Sequence, residues 1–115
     1  KLAPFPESEP GISGLETLLP LTLRLADEDE IKLRDALALL TSAPADILGI
    51  DAGHLGVGAT ADVCIFDPKA KWVVDGANWR SRGLNTPFLG QTLTGQVRYT
   101  MVGGKVVFEA ERSIL

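Results

Sequence analysis

The sequence predicts an α/β protein in which the two element types are segregated, helices over about residues 1–50 and strands over about residues 51–115. Three observations carry this. Leu15, Leu18, Leu19, Leu23 and Ala26 recur at helical spacing. After Gly49 the pattern changes to glycine-punctuated turns and short apolar runs. Finally, Gly103-Gly104 separates residues 96–102 from residues 105–109 in the way a two-residue hairpin turn does. Neither half holds a complete core, because isolated hairpins and short helices are marginal in water. Both halves are therefore expected to pack against further polypeptide.

Residues 1–10 contain Pro4, Pro6 and Pro10 with little periodicity and read as an extended loop. Gly11 and Gly14 permit tight backbone geometry before a helix that starts near Ser13. Ser13 is placed to cap it, and Glu16 three residues later completes a capping box. Pro20 is expected to kink or divide this helix. Asp27-Glu28-Asp29-Glu30 reads as a solvated turn that sets carboxylates at the positive end of the next helix, in preference to a metal site. That second helix covers about residues 29–40, with Leu33, Ala36, Leu37 and Leu40 on one face. Thr41-Ser42-Ala43-Pro44 ends it, and Pro44 suits the first position of a short third helix that closes at Gly49. Residues 61–66 read as a strand buried on both faces and stopped by Asp67-Pro68, and residues 72–75 as a second short strand. Residues 76–95 form a polar loop carrying Arg80, Arg82, Asn85 and Pro87, after which the hairpin closes the chain. No internal repeat is visible.

The 115 residues are 45% hydrophobic and 23% charged, which places them in the soluble globular class. The formal net charge is −4, and the eleven Lys and Arg are scattered, so neither a nucleic acid nor an anionic membrane is an expected partner. No apolar run approaches the roughly 20 residues that span a bilayer. Cys64 is the one cysteine, which excludes an internal disulfide and fits a reducing compartment, the cytoplasm by default. The one methionine is Met101 and the first residue is Lys1, so the chain is expected to be a piece of a longer protein.

Few residues invite a catalytic reading. His54 is the one histidine, in the surface-turn sequence Asp51-Ala52-Gly53-His54, and cannot build a zinc site by itself. Cys64 reads as a small core residue rather than a nucleophile. Arg80, Arg82 and Asn85 could bind an anion, but without a glycine-rich phosphate loop they read as loop hydrogen bonds and domain contacts. Glu16 is accounted for by its capping box.

The string Pro10-Gly11-Ile12-Ser13-Gly14-Leu15-Glu16-Thr17 resembles a segment of class I dihydroorotases, members of the cyclic amidohydrolase superfamily. Lys1 looks like the end of the signature that precedes it there. The resemblance extends through Thr41-Ser42-Ala43-Pro44-Ala45, Ile47-Leu48-Gly49, Gly58-Ala59-Thr60-Ala61-Asp62, Phe66-Asp67-Pro68, Asn85-Thr86-Pro87-Phe88-Leu89-Gly90 and Val102-Gly103-Gly104-Lys105-Val106. It implies the C-terminal part of a metal-dependent hydrolase (β/α)8 barrel plus the C-terminal strands of a small β-sandwich domain. Residues 1–50 would be the last active-site loop and outer helices of the barrel, and residues 51–115 the C-terminal share of the composite sandwich. The implied activity is the interconversion of N-carbamoyl-L-aspartate and L-dihydroorotate in pyrimidine biosynthesis. Zinc would be held by residues outside this chain, which has no counterpart of the family's metal ligands or catalytic groups.

On the same template the backbone at Pro10 and Gly11 contacts substrate, since a residue without Cβ lets main-chain groups approach a planar, amide-rich ligand. The alternative is that both residues only shape the entry to the helix. Implied partners are the N-terminal remainder of the same protein, the small-molecule substrate, a second copy in a homo-oligomer, and aspartate transcarbamoylase. Two other readings stay open: a non-catalytic dihydroorotase-like subunit that supports aspartate transcarbamoylase, and another cyclic amidase such as a hydantoinase or allantoinase. An independent binding module is the least favoured.

Overall fold

The computed structural model describes residues 11–77 and 79–110. Lys1, Pro10 and the extended loop expected over residues 1–10 lie outside the described residues.

Three helices precede three strands, in keeping with the segregated α/β order. Helix α1 spans Leu18–Glu28, α2 Leu33–Ala38 and α3 Ser42–Leu48, followed by strands β1 at Val63–Val73, β2 at Thr92–Val102 and β3 at Lys105–Glu109. The strands form one antiparallel sheet in the order β1-β2-β3. No helix among the described residues is long and apolar enough to cross a membrane.

The start of α1 differs from the capping-box expectation. Thr17, not Ser13, precedes the first helical residue, and no side chain caps it. Pro20 neither kinks nor divides the helix, because it occupies the third helical position, where its missing N–H has no intrahelical partner to lose. The helix closes when the Ile31 N–H reaches back to the Ala26 carbonyl at 2.9 Å, with Glu30 in the left-handed region at φ 54°. That left-handed residue is the physical reason α2 begins at Leu33 and covers only part of the expected residues 29–40. Pro44 is likewise the third residue of α3 rather than its first. The closure at Gly49 is as expected: its φ is 68°, and the Ile50 N–H bonds the Ala45 carbonyl at 3.1 Å.

Asp67-Pro68 does not stop a strand. The sequence expectation of two short strands is replaced by one continuous β1, with the pairing shifted between Asp67 and Lys71. Pro68 sits in that irregular stretch, where no ladder partner needs the N–H it lacks. The Asp67 Oδ1 accepts the Lys69 N–H at 2.9 Å and stabilises the bend. β1 is also mostly exposed rather than buried on both faces, with Ile65 49% accessible.

The hairpin is as the sequence predicts. Val102 pairs with Lys105 across Gly103-Gly104, whose φ values of 58° and 81° belong to a type I′ turn. Its tip is pinned to the segment before β1 by Gly103 N–H to Asp62 Oδ1 and Gly104 N–H to the Ala61 carbonyl.

The small core lies where α1 crosses β2, around Pro20, Thr22, Ala26 and Leu93. Gly95 lies at this crossing. A Cβ built there would fall 2.5 Å from Leu23 Cδ1 and 3.6 Å from Pro20 Cα, and its φ of 108° is one that other residues rarely adopt. The freed Gly95 carbonyl accepts Trp72 Nε1–H at 2.7 Å, tying the far strand to the same point. Elsewhere large apolar groups stand in water: Leu15, Ile47, Leu48, Leu55 and Val57 are each more than two-thirds accessible. A surface so apolar is the kind that further protein covers.

Candidate functional site

The loop at residues 11–16, leading into α1, is held by a second loop, residues 79–85, that connects β1 to β2. Three sets of hydrogen bonds join them. The Ser13 N–H donates to the Asn85 carbonyl at 2.8 Å, and Asn85 Nδ2–H donates to the Gly11 carbonyl at 2.9 Å. Asn85 thus bonds both ends of the Gly11–Ser13 segment. The third set is centred on Glu16, whose Oε1 and Oε2 accept the Arg80 N–H at 3.0 and 3.2 Å while Oε2 also accepts the Ser81 N–H at 2.8 Å.

Glu16 therefore does not complete a capping box with Ser13. Its carboxylate instead receives successive main-chain donors from a segment 64 and 65 residues away, a pairing that local spacing cannot reveal. Partial burial by itself would raise the Glu16 carboxyl pKa. The Ser81 side chain, the Arg80 and Ser81 backbone donors and the nearby Arg80 charge outweigh that effect and hold it below its ordinary value of 4.5. The second loop is braced in turn. Trp79 Nε1–H donates to the Gly83 carbonyl, and the Arg80 guanidinium lies over the Phe108 ring of β3, 5.1 Å from its centroid. At its far end Thr86 is buried, and Gly90 N–H and Val74 N–H exchange bonds with Val74 and Gln91 carbonyls, returning the chain to the sheet.

Of the residues that the sequence brought forward, Gly11 lies at the open end of this clasp, exposed and in the left-handed region at φ 83°. Pro10 lies outside the described residues. Asn85 and Arg80 make the loop hydrogen bonds and domain contacts expected of them. His54 occupies the exposed turn, with Nε2 2.7 Å from Asp51 Oδ1 and Nδ1 accepting the Gly56 N–H at 3.1 Å. Cys64 differs from expectation: β1 leaves it exposed rather than in a core, although partial desolvation still pushes its thiol pKa up.

Zinc does not fit these residues. Among the described residues no three His, Cys, Asp or Glu converge to hold a metal ion, and both ring nitrogens of the one histidine are engaged by its own turn. What the arrangement offers is a stretch of main chain held by hydrogen bonds from a distant loop, with the Cβ side of Gly11 open among the described residues.

Comparison with known proteins places the chain in a family. The model of the amidohydrolase family matches residues 11–108. A dihydroorotase-like protein of Pseudomonas putida is 51% identical over 106 residues, 92% of this chain and 25% of its own length. A dihydroorotase of Geotalea daltonii is 48% identical over 101 residues, 88% of this chain and 24% of its own length. An L-hydantoinase (dihydropyrimidinase) from Arthrobacter aurescens superposes with a TM-score of 0.80 at 32% identity, over 94% of this chain and 25% of that one. The chain thus spans about a quarter of the length of these relatives.

Proposed function

Since the chain belongs to the amidohydrolase family, we propose that it forms the C-terminal part of a dihydroorotase, the hydrolase that interconverts N-carbamoyl-L-aspartate and L-dihydroorotate in pyrimidine biosynthesis. The observation that carries this reading is the similarity to proteins named dihydroorotase, 48% identical over 88% of the chain against 32% for the L-hydantoinase. The Pro10-Gly11 to Thr17 string supports the same choice.

In this reading residues 1–50 are the last active-site loop and outer helices of a (β/α)8 barrel, and residues 51–115 contribute to a β-sandwich. Active sites of such barrels are built on the loops that follow the strands, which gives the loop at residues 11–16 its place beside substrate. Pro10 and Gly11 present main-chain groups to the planar amide of the ligand. Zinc and its ligands belong to sequence beyond these residues. The apolar groups of α3 and the 50–57 segment pack on that remainder. A cytoplasmic homo-oligomer, with aspartate transcarbamoylase as a further partner, completes the proposal.

A second reading is favoured by one observation: relatives from Pseudomonas putida and Pseudomonas aeruginosa, at 51% and 46% identity, are named dihydroorotase-like. It makes the whole protein a structural subunit without turnover. Assay of the full-length polypeptide separates the two. Metal-dependent opening of L-dihydroorotate supports the first reading, and a folded protein without that activity supports the second.

A further inference from the structure

We propose that Asn85 is a positioning residue for substrate: carried by the strand half of the chain, it sets the direction of the Gly11 main chain that faces the ligand. The proposal rests on the dihydroorotase reading and goes beyond it by assigning a role to a residue that does not touch substrate.

Three features of the geometry support it. First, Asn85 bonds both sides of the turn, donating from Nδ2 to the Gly11 carbonyl at 2.9 Å and accepting the Ser13 N–H through its own carbonyl at 2.8 Å. Two bonds of opposite sense fix rotation as well as distance. Secondly, Gly11 needs such a restraint. At φ 83° it has wide conformational freedom, no heavy atom of the described residues lies within 4 Å of the position a Cβ would take, and it is exposed. Thirdly, Asn85 stands on a braced loop. Glu16 binds the Arg80 and Ser81 N–H groups, the Arg80 guanidinium rests on Phe108, and Gly83 approaches so closely that a Cβ there would lie 2.7 Å from Ser13 Oγ.

The bond to the Gly11 carbonyl also turns that oxygen toward Asn85. Without it the peptide would reorient among several states, and substrate would have to select one of them. The loss is then expected mainly in KM.

The test uses the full-length enzyme with its metal, carrying Asn85→Asp or Asn85→Ala. Aspartate keeps the size and removes the donor, so it separates positioning from space filling. The expected result is a fall of about tenfold to a hundredfold in kcat/KM for L-dihydroorotate, mostly through KM, in both variants and with unchanged metal content. An Asn85→Asp enzyme with wild-type kcat/KM overturns the proposal, whereas a wild-type enzyme inactive on dihydroorotate overturns the underlying reading instead. A measurement on unaltered protein covers the case in which the variants fail to fold. In an equilibrium mixture of carbamoyl-aspartate and dihydroorotate, backbone amides of residues 11–16 and 79–85 should gain protection from hydrogen exchange together. Protection confined to residues 11–16 overturns the proposal.

Discussion

The Glu16 carboxylate accepts the Ser81 main-chain N–H at 2.8 Å, joining the entrance of the first helix to the loop between the first two strands across 65 residues of sequence. With the Arg80 N–H on the same carboxylate, this contact ties the helical half to the strand half at the place where the candidate substrate loop ends. Charge-assisted bonds to main-chain donors are stronger than neutral ones, and a partly buried donor left without a partner is costly.

Removing that carboxylate should therefore cost stability. Glu16→Ala in the full-length protein is expected to lower unfolding free energy by about 1–3 kcal/mol. Glu16→Gln, which keeps one acceptor oxygen, should cost less. Urea denaturation measures both, and an alanine variant as stable as wild type would show that the two N–H groups find equivalent partners in water.

The pH dependence of the same contact has a definite sign. The Glu16 carboxyl has its folded-state pKa lowered from 4.5, so the folded protein binds this proton less readily than the unfolded chain. Its contribution is fully present above pH 4.5 and is lost as pH falls through the lowered folded-state value. The stability gap between wild type and Glu16→Gln should accordingly narrow on acidification below pH 4.5, as read from denaturation midpoints in a pH series. A gap that widens on acidification would contradict the assignment.

The crossing of α1 over β2 depends on Gly95. Gly95→Val places a branched side chain against Leu23 Cδ1 and forces φ 108° on a residue that avoids it. The expected cost is about 2–4 kcal/mol, visible as a lower thermal midpoint. Gly90→Val, at φ 83° but with no atom of the described residues within 4 Å of its Cβ position, supplies a comparison that carries the backbone cost without the steric one.

Sequence made the order of elements legible because its strongest local signals act over a few residues. Gly49 closes α3 and Gly103-Gly104 turns the hairpin through backbone conformations that need no distant partner. Signals of the same kind misled where a distant partner decided the outcome. Ser13 and Glu16 have capping-box spacing, yet Ser13 bonds Asn85 and Glu16 bonds Arg80 and Ser81, all from the strand half. Pro20 and Pro68 looked like breaks. One sits in a first helical turn and the other in a strand irregularity, both positions where an absent N–H goes unnoticed. Burial of β1 was overread for a related reason: the run around Cys64 and Ile65 is apolar, yet this strand leaves both residues exposed, and local composition does not say which face is covered. Of the candidate site, Gly11 and the loop around it were visible in the opening motif. The clasp by Asn85 was not, because a polar residue in an irregular loop carries no periodicity that betrays its partner.

The proposed role of this loop is dihydroorotate chemistry in a larger amidohydrolase. The most direct measurement is kcat/KM of the full-length, metal-loaded protein for L-dihydroorotate beside hydantoin and allantoin. Turnover of dihydroorotate is expected to be at least about a hundredfold above the other two, the discrimination expected when buried polar groups are matched to one substrate and left unpaired by another. Equal or faster hydrolysis of hydantoin or allantoin, or a folded metal-loaded protein that leaves dihydroorotate untouched, would contradict it.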